Sequence, residues 1–154
     1  MKIRITVGEK EKLNGYTNID PITKFDDISI DIRNLDGFIS DAECTEIISE
    51  GVIDFLNRED FVLAINNWVK KMRHGGKIIV TSIDALEVAK SFSRKEIDVE
   101  VFNKAIHGNF SSVWDVFLNH TTLEELSSIL EKLGLTVTKK RINGIKLIVE
   151  AERP

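Results

Sequence analysis

A glycine and a carboxylate dominate the chemistry that this sequence can offer. Lys2-Ile3-Arg4-Ile5-Thr6-Val7-Gly8 reads as a short apolar strand running into glycine, and Tyr16-Thr17-Asn18-Ile19-Asp20 as a second strand ending in an acid. A glycine at a strand end lets the backbone approach a charged group, and an acid at the end of the neighbouring strand accepts two ribose hydroxyls. The pair suits the grip on a nucleoside. Between them, Glu9-Lys10-Glu11-Lys12-Leu13-Asn14 holds no further glycine and is too short for a helix. It reads as a solvated loop.

Other reactive side chains are sparse. His74, His107 and His120 come from separate segments without metal-ligand spacing, and His74 beside Gly75 is expected to cap the helix before it. Phe102, Phe110, Trp114 and Phe117 are expected to pack their region rather than form a lid. No Ser-His-Asp order, phosphate-binding P-loop or paired-carboxylate spacing is present. The three-glycine fingerprint of nicotinamide enzymes is absent as well.

The elements that must position these groups are mixed. Strands are predicted over 2–7, 16–19, 28–32 and 44–49, the last rich in β-branched Thr45, Ile47 and Ile48. The period then changes: Phe61, Ile65, Trp68, Val69 and Met72 share one helical face, with Asn57 placed to cap it. Gly75-Gly76 is expected to stop that helix, and Lys77-Ile78-Ile79-Val80-Thr81 follows as a buried strand. Helices are expected over 84–92 and 97–107. Thr122-Leu123-Glu124-Glu125 opens another as a capping box, and Gly134 closes it. Strands over 135–142 and 145–151 meet at Asn143-Gly144, a strong hairpin signal. The order predicts an α/β sheet, mostly parallel, with an antiparallel C-terminal hairpin. Its N-terminal half is trimmed, because the first two links are short for parallel crossovers.

Length and composition bound the function. With 154 residues, 42% of them hydrophobic and 30% charged, residues 1–154 read as a single domain able to bury a core unaided. One cysteine, Cys44, excludes an internal disulfide and fits a cytoplasmic, reducing setting. No apolar run reaches the roughly 20 residues that span a bilayer, so no membrane is expected. A net charge of −4 gives no indication of nucleic acid as a partner.

In order and spacing, three pieces resemble small class I S-adenosylmethionine-dependent methyltransferases, in a short form where a loop replaces the first helix. They are Val7-Gly8 leading to Gly15-Tyr16-Thr17-Asn18-Ile19-Asp20, Ile30-Asp31-Ile32-Arg33-Asn34-Leu35, and Trp68 to Val80 with Arg73-His74-Gly75-Gly76-Lys77. Thr122 to Glu150 is similar to the closing helix and hairpin of that Rossmann-like fold. The resemblance implies S-adenosylmethionine as cofactor and a small-molecule acceptor. It places Val7 and Gly8 against the methionine part, Asp20 on the ribose, Asp31 on the adenine amino group and the Ile32 amide on the ring nitrogen beside it. Ser49 and Glu50 would line the methyl-transfer side.

The chain departs from the family in two places. Lys10 and Lys12 stand where further glycines are usual, giving a degenerate glycine motif. Where relatives often carry His-x-Leu-Glu-His, this chain reads Gly51-Val52-Ile53-Asp54-Phe55 and keeps only the acid. No catalytic residue is assigned; Asp54, Glu50, His107 and His120 are the polar candidates. The alternative is a methyltransferase-like binding or structural module without turnover.

Overall fold

Alternating Ile3 and Ile5 build β1 (Lys2–Ile5), and Ile19 ends a short β2 (Thr17–Ile19), in a computed structural model that describes residues 1–154. β3 (Cys44–Glu50) and β4 (Met72–Ile83) follow, and β5 (Thr136–Asn143) and β6 (Lys146–Glu152) form the C-terminal hairpin. Gly144 supplies the positive φ, 62°, that its tight turn needs. All six strands join one sheet in the order β2-β1-β3-β4-β6-β5. Neighbours from β2 to β4 are parallel, and β6 runs antiparallel to both β4 and β5.

Four helices complete the fold: α1 (Arg58–Lys71), α2 (Ala85–Ser93), α3 (Val99–His107) and α4 (Leu123–Lys132). Each starts at a side chain that accepts from a first-turn amide, namely Asn57, Asp84, Asp98 and Thr122. One face of the sheet, with Ile3, Ile5, Ile47, Ile78, Val80, Leu147 and Val149, packs on Phe61, Ile65 and Trp68 of α1 and Leu126 and Leu130 of α4. The opposite face has little helix over it. Ion pairs Lys2–Glu46, Arg4–Glu50 and Lys77–Glu150 run across it, with Ile48 and Ile79 between them. No helix of the molecule is long and apolar enough to cross a membrane.

Two expectations are corrected. Residues 28–32 form no strand and pair with nothing, so the sheet ends at β2. Asp26 and Asp27, at φ 57° and 59°, turn the chain away, and Ile32 packs into the core instead. The helix before Gly75 also stops earlier than its apolar period suggests, at Lys71. Met72 pairs with Cys44, and the glycines lie inside β4, at an irregularity between Cys44 and Glu46 of the partner strand. A Cβ on Gly76 would sit 2.9 Å from the Cys44 carbonyl oxygen, so glycine there permits the close approach of β3. His74 accordingly caps no helix; its Nδ1 lies 2.5 Å from the Pro154 carbonyl oxygen.

Candidate functional site

Val7, Gly8, Asp20, Ser49 and Glu50 lie at the carboxyl ends of β1, β2 and β3, where open α/β folds bind ligands, whereas Asp31 and Ile32 come from the strandless segment after β2. Asp20, directly after the outermost strand, is only 2% exposed. Its Oδ1 accepts from the amides of Gly8 (3.0 Å), Ile22 (2.8 Å) and Thr23 (2.9 Å). Its Oδ2 accepts from the Thr6 hydroxyl at 2.8 Å and the Glu9 amide at 2.9 Å. Burial pushes this carboxyl up, but the amides of Thr23, Gly8, Ile22 and Glu9 together outweigh it and hold the group below the usual carboxylate range. With roughly four lone-pair sites on a carboxylate, these five donors fill Asp20.

Gly8 lies under an aromatic ring. At φ +74°, a Cβ there would meet Trp114 at 2.2 Å, so the indole rests against the glycine backbone. The ring also lies 5.9 Å from Phe55, centroid to centroid. Trp114, Val7, Asp31 and Ile32 line a cavity of about 320 Å³. Asp31 is half-exposed and forked by the Arg33 guanidinium, whose hydrogen bonds pull its carboxyl down. The Ile32 carbonyl accepts from the buried Trp68 indole at 2.7 Å, while its amide finds no partner in the chain. α1 thereby fixes Ile32 with a free donor near the cleft.

Ser49 and Glu50 separate. Ser49 pairs in register with Ile5 and Val80 on the core face, fully buried, and its hydroxyl has no partner. Glu50 points to the opposite face, where Arg4 holds it at 2.6 Å. A polar cavity of about 440 Å³ lies above it, lined by Val7, Gly8, Glu9, Lys10, Glu11 and Glu50. The Glu9 carboxyl is held low by the Glu11 and Lys10 amides that it caps.

A second, larger cavity of about 810 Å³ opens between α3 and the bare sheet face. Ile48, Ile79 and Ile148 line it from the sheet, Val101 and Ala105 from α3, and Asp54 also lines it. Glu50 lines this cavity and the polar one alike. Asp54 is 2% exposed and accepts from the Ser82 hydroxyl at 2.7 Å, with the Ile83 amide further off at 3.4 Å. Burial pushes its carboxyl up to about 6, against the smaller opposing pull of Ser82. Neither His107 nor His120 lines the cavity; the His120 Nε2 meets the Ile106 carbonyl at 2.6 Å. No local pattern in the sequence marks Ser82 beside Asp54 or the seat of Trp114 on Gly8. No group of three or more His, Cys, Asp or Glu side chains is placed to hold a metal ion.

Comparison with solved structures decides the fold. The chain superposes on a S-adenosylmethionine-dependent methyltransferase from Methanosarcina mazei with a TM-score of 0.61 and 11% identity, covering 92% of this chain and 70% of that one. The fold is class I methyltransferase-like. Similar matches are Synechocystis magnesium protoporphyrin IX methyltransferase with bound S-adenosylhomocysteine (TM-score 0.55, 12% identity, 92% and 53% covered) and Burkholderia thailandensis 1,6-didemethyltoxoflavin-N1-methyltransferase (0.54, 13%, 82% and 49%). This chain spans about half the length of those two enzymes. No family model and no curated protein matches its sequence.

The chain's own groups fit the two ends of S-adenosylmethionine. In the polar cavity Glu11 offers a carboxylate to an ammonium and Lys10 a cation to the amino-acid carboxylate, while Arg4 already holds Glu50 at 2.6 Å and lies 3.7 Å from Glu9. Asp31 and the free Ile32 amide offer an acceptor and a donor to adenine. Between them, Asp20 has no acceptor site to spare in this conformation.

Proposed function

We propose that the chain is a S-adenosylmethionine-dependent methyltransferase for a small molecule. One observation carries this reading: the polar cavity at Gly8 and the apolar cavity under α3 are both lined by Glu50, at the carboxyl end of β3. A donor and an acceptor held there lie side by side, and alignment of the reacting atoms is most of what methyl transfer requires. Bound in the polar cavity, the cofactor would supply an electrophilic methyl group on a sulfonium. Val7 and Gly8 hold the methionine part, with Lys10 on its carboxylate. Asp31 and the Ile32 amide hold adenine, and Asp20 takes the ribose hydroxyls in exchange for part of its present bonds. Ser49 supports β3 from the core side, and Glu50 faces the transfer region.

A second reading, a binding or structural module without turnover, draws on the same centre. Asp20 is already filled by five donors and Trp114 covers Gly8, an arrangement that is complete without a ligand. Thermal unfolding with S-adenosylmethionine and S-adenosylhomocysteine separates the two readings. Ligand at one hundred times its dissociation constant adds about 2.7 kcal/mol, or about 5–10 °C in a domain of this size. No shift at millimolar ligand favours the module without turnover.

A further inference from the structure

The cavity under α3 is a mostly apolar slot. Ile48, Ile79 and Ile148 from the sheet and Val101 and Ala105 from α3 line a space of about 810 Å³. Four charged groups line it: Glu50 from β3, Asp54 after it, Lys104 from α3 and Lys146 at the start of β6. Two of these are already paired, Glu50 with Arg4 at 2.6 Å and Lys104 with Glu100 at 3.2 Å. Lys146 makes no ion pair, and Asp54 accepts one short hydrogen bond, from Ser82, and one long one, from the Ile83 amide. The slot therefore offers a free cation and a buried carboxyl with acceptor sites to spare; Lys146 pairs in register with Ile83, whose amide reaches Asp54, and its charge pulls the Asp54 carboxyl down against the larger effect of burial.

We infer that this slot takes a phenolic carboxylate as methyl acceptor, with Asp54 receiving the phenolic proton and Lys146 pairing with the carboxylate. The inference rests on the methyl-transfer reading above. The ring fills the apolar slot. As the new O–C bond forms, the methyl group's C–S bond breaks with its electron pair staying on sulfur, and the phenolic proton passes to Asp54. A carboxylate titrating near 6 is a weak base, matched to a phenol, whose ordinary pKa is about 10, better than to an aliphatic alcohol. An ammonium acceptor would arrive as a cation against Lys104 and Lys146.

Calorimetric titration of the full chain with 4-hydroxybenzoate, without any methyl donor, tests the site directly. Saturable binding is expected, weakened about tenfold by Lys146→Ala and by replacing the probe with phenol. No binding at millimolar probe, or an affinity indifferent to Lys146, overturns the inference. With donor added, Asp54→Asn should leave probe affinity within a few-fold and lower transfer about 10²-fold. Wild-type transfer should fall as pH drops through about 6. Undiminished transfer by Asp54→Asn overturns the base assignment. Should that variant fail to fold, Ser82→Ala carries the test: losing the hydroxyl raises the Asp54 carboxyl, so the acidic limb must move to higher pH. Probe binding without binding of S-adenosylhomocysteine refutes the donor reading, whereas the converse refutes the acceptor.

Discussion

Asp20 and Asp54 each expose only 2% of their surface, and yet their carboxyls are driven in opposite directions. Asp20 lies where the loop after β1 and the turn after β2 both present amides to it, and five donors hold it ionised. Asp54 lies in a 3-10 turn between Ile53 and Phe55, against an apolar cavity, with one short hydrogen bond. Asp54 lies deeper among apolar groups than Asp20 and has fewer donors, and both differences push its carboxyl up. One aspartate organises structure around itself, and the other is left with capacity for chemistry.

Removing Asp20 should have the largest effect. Asp20→Ala strands a hydroxyl and four amides, and we expect a loss of about 3–5 kcal/mol, read as a fall in Tm of roughly 10 °C. In the wild type, the stabilisation from Asp20 is present above the unfolded value near 3.9 and is lost as pH falls through the lower folded value. A mild loss would mean that the donors find other partners and the contrast is overstated.

Asp54→Asn should act with the opposite sign. The folded carboxyl titrates near 6 and the unfolded one near 3.9, so the native chain holds an extra proton between those values. Wild-type stability therefore falls as pH rises through that window. Asn, which still accepts from Ser82, avoids the cost and should be more stable by on the order of 2–3 kcal/mol at pH 7.5. Denaturant melts should show that advantage vanish below about pH 4. An advantage that is flat with pH would contradict the raised carboxyl.

Gly8→Ala comes next. Its φ of +74° and the Trp114 ring predict a loss of about 2–3 kcal/mol, reduced to about 1 in a Trp114→Ala background. Equal losses in both backgrounds would show that the indole does not press on Gly8. Smallest is Arg58→Ala, which opens a half-exposed pair with Glu125 joining α1 to α4 and should cost about 1 kcal/mol or less.

Much of this frame was legible. Asn143-Gly144 announced the hairpin, Asn57 and Thr122 announced two helix starts, and the Gly8 and Asp20 spacing brought those residues together as expected. Ile28 to Ile32 misled because alternation reports burial, and Ile32 is buried by Trp68 of α1 rather than by a neighbouring strand. Gly75-Gly76 misled because glycine serves close strand approach as readily as helix termination. The Ser82 bond to Asp54 and the Trp114 seat on Gly8 join residues far apart in the chain, so no local pattern encodes them.

The central claim is that the cleft across Gly8, Asp20 and Asp31 takes S-adenosylmethionine or its demethylated product. Calorimetric titration of the chain with S-adenosylhomocysteine at neutral pH tests it most directly. One-to-one saturable binding, weakened by Asp31→Ala, is the predicted result. Absence of heat at millimolar ligand, from a chain that melts cooperatively, would contradict it.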